Sequence, residues 1–530
     1  MELPPEIILC MGQFLSPHDL THCIRISKTW HQVLVPLLYH SIDETKKTKP
    51  SISALDKYMH LIQDVKLIAG SPYMSQLAGS SPLLNLRRIC LIIQNGFVLT
   101  QSMGDLFKSM PRLSSLSVEG SHQHEKSFPL QSILGHCLPS LPELHLQSTY
   151  LSESALKLIV DFGSSLEKLS LCSCKLDIAD AFELFTVAAD NTPRLLNISD
   201  LRITDDEGRL DLGAWMENCP NLTTLEWVSS PYSKLPPKSR VLSVIAPQWS
   251  HIQSLTLRGE NPNIRLTDRQ LCQILEACVP LTKLSMDSSC FSIRSFFSLE
   301  RHFATLDYLD LEYCKDVQSW MSQSILSSCP RLVYFSAEIL LACDLVQESD
   351  PEAQRERTSD FSFKSKVGEP GSQEGELVTL GHEEQLAHKY AQGRPWVCLG
   401  LRTLKVTIAE TEPEWQESIF KRISTLTELR VLDLGMGRGY YGMPSLDLCL
   451  KSGLRYLGSL KRLERLNFDG TPQFMEERDV EWMLCSWPSL KDLSQEFNLT
   501  PKKNTKLCKL ADRYFSGINS EDEDEEDDYY

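Results

Sequence analysis

The 530-residue sequence contains no uninterrupted apolar run long enough to cross a membrane. A transmembrane helix needs roughly 18 or more consecutive apolar residues. The sequence also lacks the positively charged start of a secretory signal, because its first charged residues are Glu2 and Glu6. Gly12-Gln13 then interrupts the first apolar stretch. We therefore expect neither membrane insertion nor export.

Basic residues are too few to indicate nucleic-acid binding, with 53 Lys and Arg against 70 Asp and Glu, for a net charge of −17. Eight of the acids lie together at 521–528, and the rest of the chain carries −9. Phosphate contacts require clusters of Lys and Arg, so we expect no nucleic-acid partner. The tail is predicted to be disordered. Ser520 is a candidate phosphorylation site in it, with a purely solubilising tail as the alternative.

No catalytic, metal-binding or cofactor motif is present. The glycine-rich stretch "GMGRGYYG" (435–442) has neither P-loop nor G-x-G-x-x-G spacing. Cys172 and Cys174 are not followed by a second pair at zinc-site spacing. We therefore expect no enzyme activity, no metal and no cofactor. The 17 cysteines, an odd number in a long chain, favour a reducing compartment, which is the cytoplasm, the nucleus or both.

What the sequence does contain is a repeat of the pattern apolar-x-x-apolar-x-apolar. Outside one gap, its first positions follow one another at intervals of 24 to 34 residues. They are Leu86, Leu113, Leu141, Leu166, Ile198, Leu222, Ile252, Leu281, Leu306, Leu332, Leu401, Leu429, Leu463 and Leu490.

The last two apolar positions of each repeat lie two residues apart, so they share one face of a short strand. Helical patterns such as "SESALKLIVDFGSSL" and "TDRQLCQILEACVPL" separate the strands. A strand and a helix of this size cannot bury their apolar faces alone and must stack on neighbouring repeats. The predicted fold class is α/β, a solenoid with parallel strands on its concave face and helices on its convex face.

Cysteines recur at fixed places in the repeats. Cys174 and Cys314 follow the last strand leucine by three residues, whereas Cys219, Cys278 and Cys329 precede the next strand. Two repeats contain a Thr-Asp pair where a helix is expected to start, a position that favours capping side chains. Together these features resemble the cysteine-containing subfamily of leucine-rich repeats, and the resemblance implies a curved solenoid.

The strand alternation also predicts an exposed concave surface. Its residues are polar, mixed in charge and include tyrosines, which suits protein recognition better than an apolar small-molecule pocket. Simple solvated strand faces are the alternative. The candidate substrate-binding residues, including three on the glycine-rich loop, are Lys283, Asp287, Tyr308, Asp310, Glu312, Lys405, Arg438, Tyr440, Tyr441, Arg465 and Asp469.

The first 40 residues predict three short helices. Ile7, Ile8 and Met11 have helical spacing, Ser16-Pro17 has the character of an N-cap followed by proline at N1, and Ser27 caps a third helix. So small a module buries too little surface to be stable alone. It must therefore pack on the repeats or on a partner, and it could cap the open end of the solenoid.

This N-terminal stretch, "LPPEIILCMGQFLSPHDLTHCIRISKTWHQVLVPLLYHSI", resembles an F-box. It departs from that family at Gly12, where a bulky apolar residue is usual. The resemblance, strongest to divergent F-box and repeat proteins of fungi, implies binding to the Skp-family adaptor of cullin–RING (SCF) ubiquitin ligases, with the repeats selecting a protein substrate. The implied adaptor-binding residues are Leu3, Pro4, Ile7, Met11, Phe14, Leu15, Asp19, Leu20, Cys23, Ile26 and Trp30.

The expected domain organisation has six parts. They are the F-box-like helices (1–45), a connecting helical segment (46–82), a first repeat block (83–346), a disordered or loosely ordered insertion (347–390), a second repeat block (391–515) and the acidic disordered tail (516–530). The leading functional hypothesis is a non-catalytic substrate receptor of an SCF-type ubiquitin ligase. A leucine-rich-repeat activator of a small GTPase and a scaffold with no role in ubiquitination remain as alternatives.

Overall fold

The computed structural model describes two compact units. The described residues are 3–46, 49–78, 83–94, 106–107, 110–120, 130–177, 195–205, 210, 212–229, 248–258, 267–286, 291–346, 393–409, 411–435, 445–468 and 475–494. The first unit comprises residues 1–252 and 259–264, and the second comprises 253–258 and 265–530. Within the described ranges, no helix is both long and apolar enough to span a bilayer.

In the first unit, short helices alternate with short strands. The helices are α1 (Pro5–Gly12), α2 (Pro17–Cys23), α3 (Lys28–Leu38), α4 (Ile52–Tyr58), α5 (Pro72–Ala78), α6 (Leu130–Cys137), α7 (Glu153–Phe162) and α8 (Leu212–Asn218). The strands are β1 (Ser41–Asp43), β2 (Asp64–Ile68), β3 (Arg88–Ile92), β4 (Ser115–Glu119), β5 (Glu143–Gln147), β6 (Tyr150–Ser152), β7 (Lys168–Cys172), β8 (Lys175–Asp177), β9 (Asp200–Asp205) and β10 (Thr224–Ser229).

The second unit continues the same alternation. Its helices are α9 (Asp268–Ala277), α10 (Ile293–Leu299), α11 (Ser319–Leu326), α12 (Ala342–Leu345), α13 (Pro413–Ile423) and α14 (Glu477–Ser486). Its strands are β11 (Ser254–Arg258), β12 (Lys283–Met286), β13 (Tyr308–Leu311), β14 (Tyr334–Leu341), β15 (Thr403–Ala409), β16 (Val431–Asp433), β17 (Arg465–Asn467) and β18 (Asp492–Ser494).

The predicted strands form parallel sheets in chain order, which confirms the leucine-rich-repeat fold. In the first unit the order is β1-β2-β3-β4-β5-β7-β9-β10, and β6 pairs with β8 in a small separate sheet. In the second unit, β11 to β18 follow one another, and each pair of neighbouring strands described there is parallel. Each of the 14 predicted repeats contributes one strand.

The core of each unit is a line of apolar side chains in register across the strands. In the first unit the line runs through Ile42, Val65, Ile89, Leu116, Leu144, Leu169, Leu201 and Leu225, all buried. In the second unit it runs through Leu255, Leu284, Leu309, Phe335, Leu404, Leu432 and Leu466, also buried. Each strand thus covers the apolar face of its neighbour, as stacking repeats must.

The connecting helical segment expected at 46–82 contains the predicted helices and also a strand. Between α4 and α5 this segment contains β2, which is a full member of the sheet. The signal was present as Ile62-x-x-Val65-x-Leu67, in which β-branched residues replace the first two leucines of the repeat pattern. The sheet also begins earlier than predicted, because β1 lies inside the F-box-like region and pairs with β2.

Glu44 fixes this first strand to the second. It is buried, and its carboxylate accepts hydrogen bonds from the Ile68 N–H (2.9 Å) and the Ser71 hydroxyl (2.7 Å). A buried carboxylate is stable only when its oxygens are satisfied in this way. The N-terminal helices therefore continue directly into the sheet of the first unit.

The repeat cysteines are buried, as predicted. Cys174 Sγ donates to the Leu146 carbonyl, and Cys314 Sγ to the Met286 carbonyl, so each bonds the backbone of the preceding strand. Burial raises the pKa of Cys219 and Cys278 to about 12, which keeps both as neutral thiols. These residues act as small apolar groups of the core.

The Thr-Asp pair at 267–268 caps two helices. The Thr267 hydroxyl accepts from the Gln270 N–H at the start of α9, as predicted. The Asp268 carboxylate instead reaches the next repeat, where it accepts from the N–H groups of Ser292 (3.1 Å) and Ser295 (3.0 Å) around the start of α10. Capping side chains therefore start their own helix and also link neighbouring repeats.

The predicted insertion (347–390) lies outside the described residues, but the two chain segments beside it meet. The Gly393 N–H donates to the Asp344 carbonyl at 3.3 Å. Buried Trp396 donates from Nε1 to Gln323 Oε1 at 2.8 Å, and the Arg422 guanidinium donates to the carbonyls of residues 393 and 394. Residues 393–396 are therefore held by hydrogen bonds to α11 and α13.

We predict that residues 347–392 can be replaced by a short Gly-Ser linker with little change in melting temperature, because the fold holds the two ends together. Trp396→Ala is expected to cost about 3–5 kcal/mol, since it empties a buried site. Thermal denaturation of the full chain and both variants checks this. A large loss of stability in the linker variant would contradict it.

A buried histidine links two repeats of the second unit. His302 Nδ1 accepts from the Leu281 N–H, and Nε2 donates to the Leu275 carbonyl, both at 3.0 Å. Both ring nitrogens are therefore used by the neutral imidazole. Burial lowers the pKa of His302 from 6.5 to about 4.

Because of His302, we expect the folded protein to lose stability in acid. The unfolded chain protonates it at its ordinary pKa, so its stabilising contribution is complete above pH 6.5 and is lost as the pH falls towards 4. We expect the denaturation midpoint to drop between pH 7.5 and 5.0, and to drop less in His302→Gln. Chemical denaturation at both pH values measures this, with exposed His60→Gln as the control. Equal drops in wild type and His302→Gln would refute the assignment.

Candidate docking surfaces

The three N-terminal helices are bounded by the predicted caps. The Ser16 side chain accepts from the Asp19 N–H at 3.2 Å, and Pro17 occupies the first position of α2. The Ser27 side chain accepts from the Trp30 N–H at 3.3 Å and starts α3. The Ser16 hydroxyl also donates to the Asp19 carboxylate, which lowers the pKa of Asp19. Ser-x-x-Asp thus sharply divides one apolar run into two helices.

Ile8, Leu20 and Leu34 form the buried centre of this helical module. Leu15, Cys23 and Trp30 are half-buried against that centre. Leu20, predicted at the adaptor-binding surface, therefore lies in the core, with 6% of its surface exposed. Its role is to hold the three helices together. A Leu20→Ala change would test folding rather than docking.

Gly12 lies where α1 crosses α3, and a larger residue there would have to displace leucine side chains of α3. A Cβ atom at this position would lie 2.5 Å from Leu34 Cδ2 and 2.8 Å from Leu37 Cδ1. The glycine is buried and allows the two helices to approach closely. The departure from the F-box pattern at this position is thus matched by the packing of leucines from α3.

The opposite face of α1 carries an exposed apolar stripe. Leu3, Ile7, Met11 and Phe14 follow one another at helical spacings of four, four and three residues and are 44%, 49%, 44% and 84% exposed. Ile26, after α2, is 62% exposed. Clustered exposed apolar side chains of this kind mark interaction sites. We call Leu3, Ile7, Met11 and Phe14 the apolar stripe. Of the other predicted adaptor-binding residues, Pro4 and Asp19 are exposed as well.

A second candidate surface lies on the strands of the second unit. Strand alternation turns Lys283 of β12, Tyr308 of β13 and Tyr334 of β14 away from the leucine core, and the strands place them in register. The rings of Tyr308 and Tyr334 stack with centroids 4.1 Å apart and planes 9° apart. The Lys283 ammonium lies over the Tyr308 ring, 5.0 Å from its centroid, in a cation–π contact.

Beneath the tyrosines lies an ion pair between buried Asp310 and partly exposed Arg258. The Asp310 side chain is 5% exposed and accepts from Arg258 Nη2, while Arg258 Nε donates to Ser285 Oγ at 2.8 Å. The Tyr308 hydroxyl also donates to Asp310 (3.4 Å). We call this set, namely Arg258, Lys283, Ser285, Tyr308, Asp310 and Tyr334, the Tyr308 cluster. Burial, followed by the charge of Asp310, raises the pKa of both tyrosines, so both are neutral.

The structure brings together only part of the predicted substrate-binding set. Lys283, Tyr308 and Asp310 meet in the Tyr308 cluster, but Asp310 is buried there and orients Arg258 instead of facing a partner. Glu312 lies beside the cluster and accepts from the Ser336 hydroxyl at 3.4 Å.

The remaining predicted residues are elsewhere. Lys405 is half-buried and in register with Ser336 and Asp433. Arg465, on β17, forms an ion pair with Asp492 at 3.1 Å. Asp287, Arg438, Tyr440, Tyr441 and Asp469 lie outside the described residues.

Sequence reasoning missed Arg258 and Tyr334, although the signal that placed Lys283 and Tyr308 was available for both. Arg258 follows Leu257 of "LTLRG", and Tyr334 precedes Phe335 of "LVYFSA". Each therefore alternates with an apolar residue that the repeat pattern places in the core. Their importance follows from their contacts, which depend on side chains from other strands.

Comparison with known families finds one match at the N-terminus. Residues 1–45 match the model of the F-box-like family. The chain therefore begins with an F-box-like domain, followed by leucine-rich repeats. A comparison with curated proteins finds no match.

Solved structures align with this chain at low sequence identity. A complex of Rad7 and Elc1 from yeast aligns at 15% identity over 65% of this chain and 89% of that one, with a TM-score of 0.38. LegL7, a leucine-rich-repeat protein of Legionella pneumophila, aligns at 13% identity over 51% and 89%, with a TM-score of 0.29. A TLR13–ssRNA13 complex aligns at 12% identity over 83% and 61%, with a TM-score of 0.32. None of these similarities bears on function.

We predict that Gly12→Ala destabilises the N-terminal module by about 1–3 kcal/mol, because the added methyl group overlaps Leu34 and Leu37. Gly135→Ala, in α6, is the matched control, since a Cβ there meets nothing within 4 Å. It should be neutral or slightly stabilising. Thermal denaturation and limited proteolysis of the N-terminal module distinguish the two variants. Equal stability of both would contradict the packing role of Gly12.

Proposed function

We propose that this protein is a non-catalytic substrate receptor of an SCF-type (cullin–RING) ubiquitin ligase. The observation that carries the proposal is the apolar stripe on a domain that matches the F-box-like family. In the proposal, this stripe docks on a Skp-family adaptor, through which the chain joins a cullin–RING scaffold. The leucine-rich repeats hold a protein substrate, and other subunits supply the catalysis.

The two faces of α1 support this division of roles. Ile8 and Gly12 pack inward on α3, whereas Ile7 and Met11, one residue before each of them, face outward. The outward residues contribute little to folding in the free chain, because solvent still reaches about half of each side chain. Burying the exposed half of each of these side chains against a partner is worth about 1 kcal/mol.

The connection between the helices and the repeats fits a receptor. Such a chain contributes proximity, which is most effective when the bound substrate is held at a defined position relative to the reacting groups. Here β1 continues from the F-box-like helices and pairs with β2, and Glu44 bonds the N–H of Ile68 at the end of β2.

The free thiols of the described cysteines support a reducing compartment, the cytoplasm or the nucleus.

Adaptor capture by the full chain tests the proposal. The double variant Ile7→Ala, Phe14→Ala is expected to weaken binding of a purified Skp-family adaptor at least tenfold, while the thermal stability of the chain is unchanged. Phe162→Ala is the matched control, because Phe162 is 40% exposed on α7, away from the stripe. It should bind the adaptor as well as wild type. Absence of binding, or binding that ignores the double variant, would sink the proposal.

Ubiquitin transfer separates a ligase receptor from a scaffold. With adaptor, cullin–RING scaffold and charged conjugating enzyme present, proteins that co-purify with the chain should be modified. The double variant Ile7→Ala, Phe14→Ala should reduce that modification. The double variant is preferable to deletion of residues 1–45, which would also remove β1 from the sheet. Adaptor binding without any ubiquitin transfer would favour the scaffold.

A further inference from the structure

Two cations converge on Tyr308. The Lys283 ammonium lies over its ring, and the Arg258 guanidinium pairs with Asp310, which also accepts the Tyr308 hydroxyl. The ammonium and the guanidinium thus lie at the ring and at the hydroxyl end of one side chain. The three residues belong to adjacent strands, β11, β12 and β13, so the sheet itself fixes their spacing.

Arg258 is held rigidly and keeps unused donors. Its Nε bonds Ser285 and its Nη2 bonds Asp310, while 37% of the side chain remains exposed. In the described part of the chain, Nη1 has no hydrogen-bond partner. A guanidinium fixed on one edge and open on the other loses little rotamer entropy on binding an oxyanion.

The negative charge within the cluster is already used. One oxygen of Asp310 accepts from Arg258 and Tyr308, and the other accepts from the Glu312 N–H at 3.3 Å. The charge that remains is that of Lys283, which forms no ion pair with a residue that the structure describes. Thr256, Ser285 and Ser336 lie buried in register with Asp310 and leave a narrow polar floor beside the tyrosines.

We propose that the Tyr308 cluster binds an acidic segment of a protein partner, with a carboxylate placed between Arg258 Nη1 and the Lys283 ammonium. The stacking of Tyr308 on Tyr334 keeps both rings, and the Lys283 ammonium over Tyr308, in a fixed arrangement beside it. That this partner is the ligase substrate rests on the proposed function, but the binding chemistry does not.

A basic segment fits the same surface poorly. The exposed face of Tyr308 is already covered by an ammonium, and every oxygen of Asp310 is engaged. An incoming Lys or Arg would approach two fixed cations with no free carboxylate inside the cluster. Glu312, at the edge, is the nearest acid, and its carboxylate accepts from Ser336. Like-charge approach of this kind discriminates strongly between partners.

Fluorescence anisotropy of the full chain with labelled hexaglutamate, hexaglutamine and hexalysine tests the inference. We expect hexaglutamate to bind most tightly, with an affinity that falls as salt is raised. Lys283→Gln should weaken it about threefold to fivefold. The double variant Arg258→Gln, Asp310→Asn should weaken it about tenfold, because it removes the guanidinium without leaving a buried charge unpaired.

Lys451→Gln is the matched control, because Lys451 is an exposed lysine of the same unit, paired with Glu476. It should bind hexaglutamate as wild type does. The inference is overturned if hexaglutamate binds no more tightly than hexaglutamine. It is also overturned if Lys283→Gln and Lys451→Gln lose the same amount of affinity for hexaglutamate. Thermal denaturation confirms that the double variant is folded. If the double variant is not folded, the comparison of Lys283→Gln with Lys451→Gln decides the test alone.

Adaptor capture is measured on the same proteins, so the two proposals fail separately. Lys283→Gln should bind the adaptor normally. A chain that binds hexaglutamate through Lys283 but captures no adaptor rejects the ligase role and supports the acidic-segment site. A chain that captures the adaptor but shows no preference for hexaglutamate overturns the site and leaves the ligase role standing.

Discussion

The structure depends on one constraint, which is that a short strand with a single apolar line cannot bury that line by itself. Leu284, for example, becomes fully buried only between Leu255 and Leu309 of the strands on either side. The same need recurs at every repeat, so the strands must be parallel, in register and in chain order. Stacking also sets side chains such as Asp268 and His302 against a neighbouring repeat, where they form hydrogen bonds with its backbone.

The stacking that buries the leucines also brings outward side chains of different repeats together. Residues that alternate with the core line must face outward, and parallel register places outward residues from consecutive strands side by side. Lys283, Tyr308 and Tyr334 are separated by 25 and 26 positions in the chain, yet they form one continuous contact. Below them, Asp310 tolerates burial because Arg258 and Tyr308 satisfy it. A solenoid therefore builds a rigid binding surface from side chains that are distant in sequence.

Much of this architecture could be predicted because it is encoded locally. The 14 strands followed from the spacing of apolar residues, and the starts of α2, α3 and α9 followed from Ser16, Ser27 and Thr267. Strand β2 was missed because Ile62 and Val65 replace the leucines that made the pattern recognisable. Leu20 was assigned to the docking surface from the resemblance to the F-box family, and such a resemblance does not show which face of a helix the rest of this chain covers.

The sequence by itself determined the repeat, the N-terminal helices and the apolar character of the stripe, because each depends on residues only a few positions apart. The tertiary structure alone decided the fate of individual side chains. It packed Gly12 against Leu34 and Leu37, and it turned Asp310 from a candidate contact into the buried partner of Arg258. Such outcomes depend on distances between atoms of different repeats or helices. Those distances are fixed only when the chain is folded, so local patterns do not contain them.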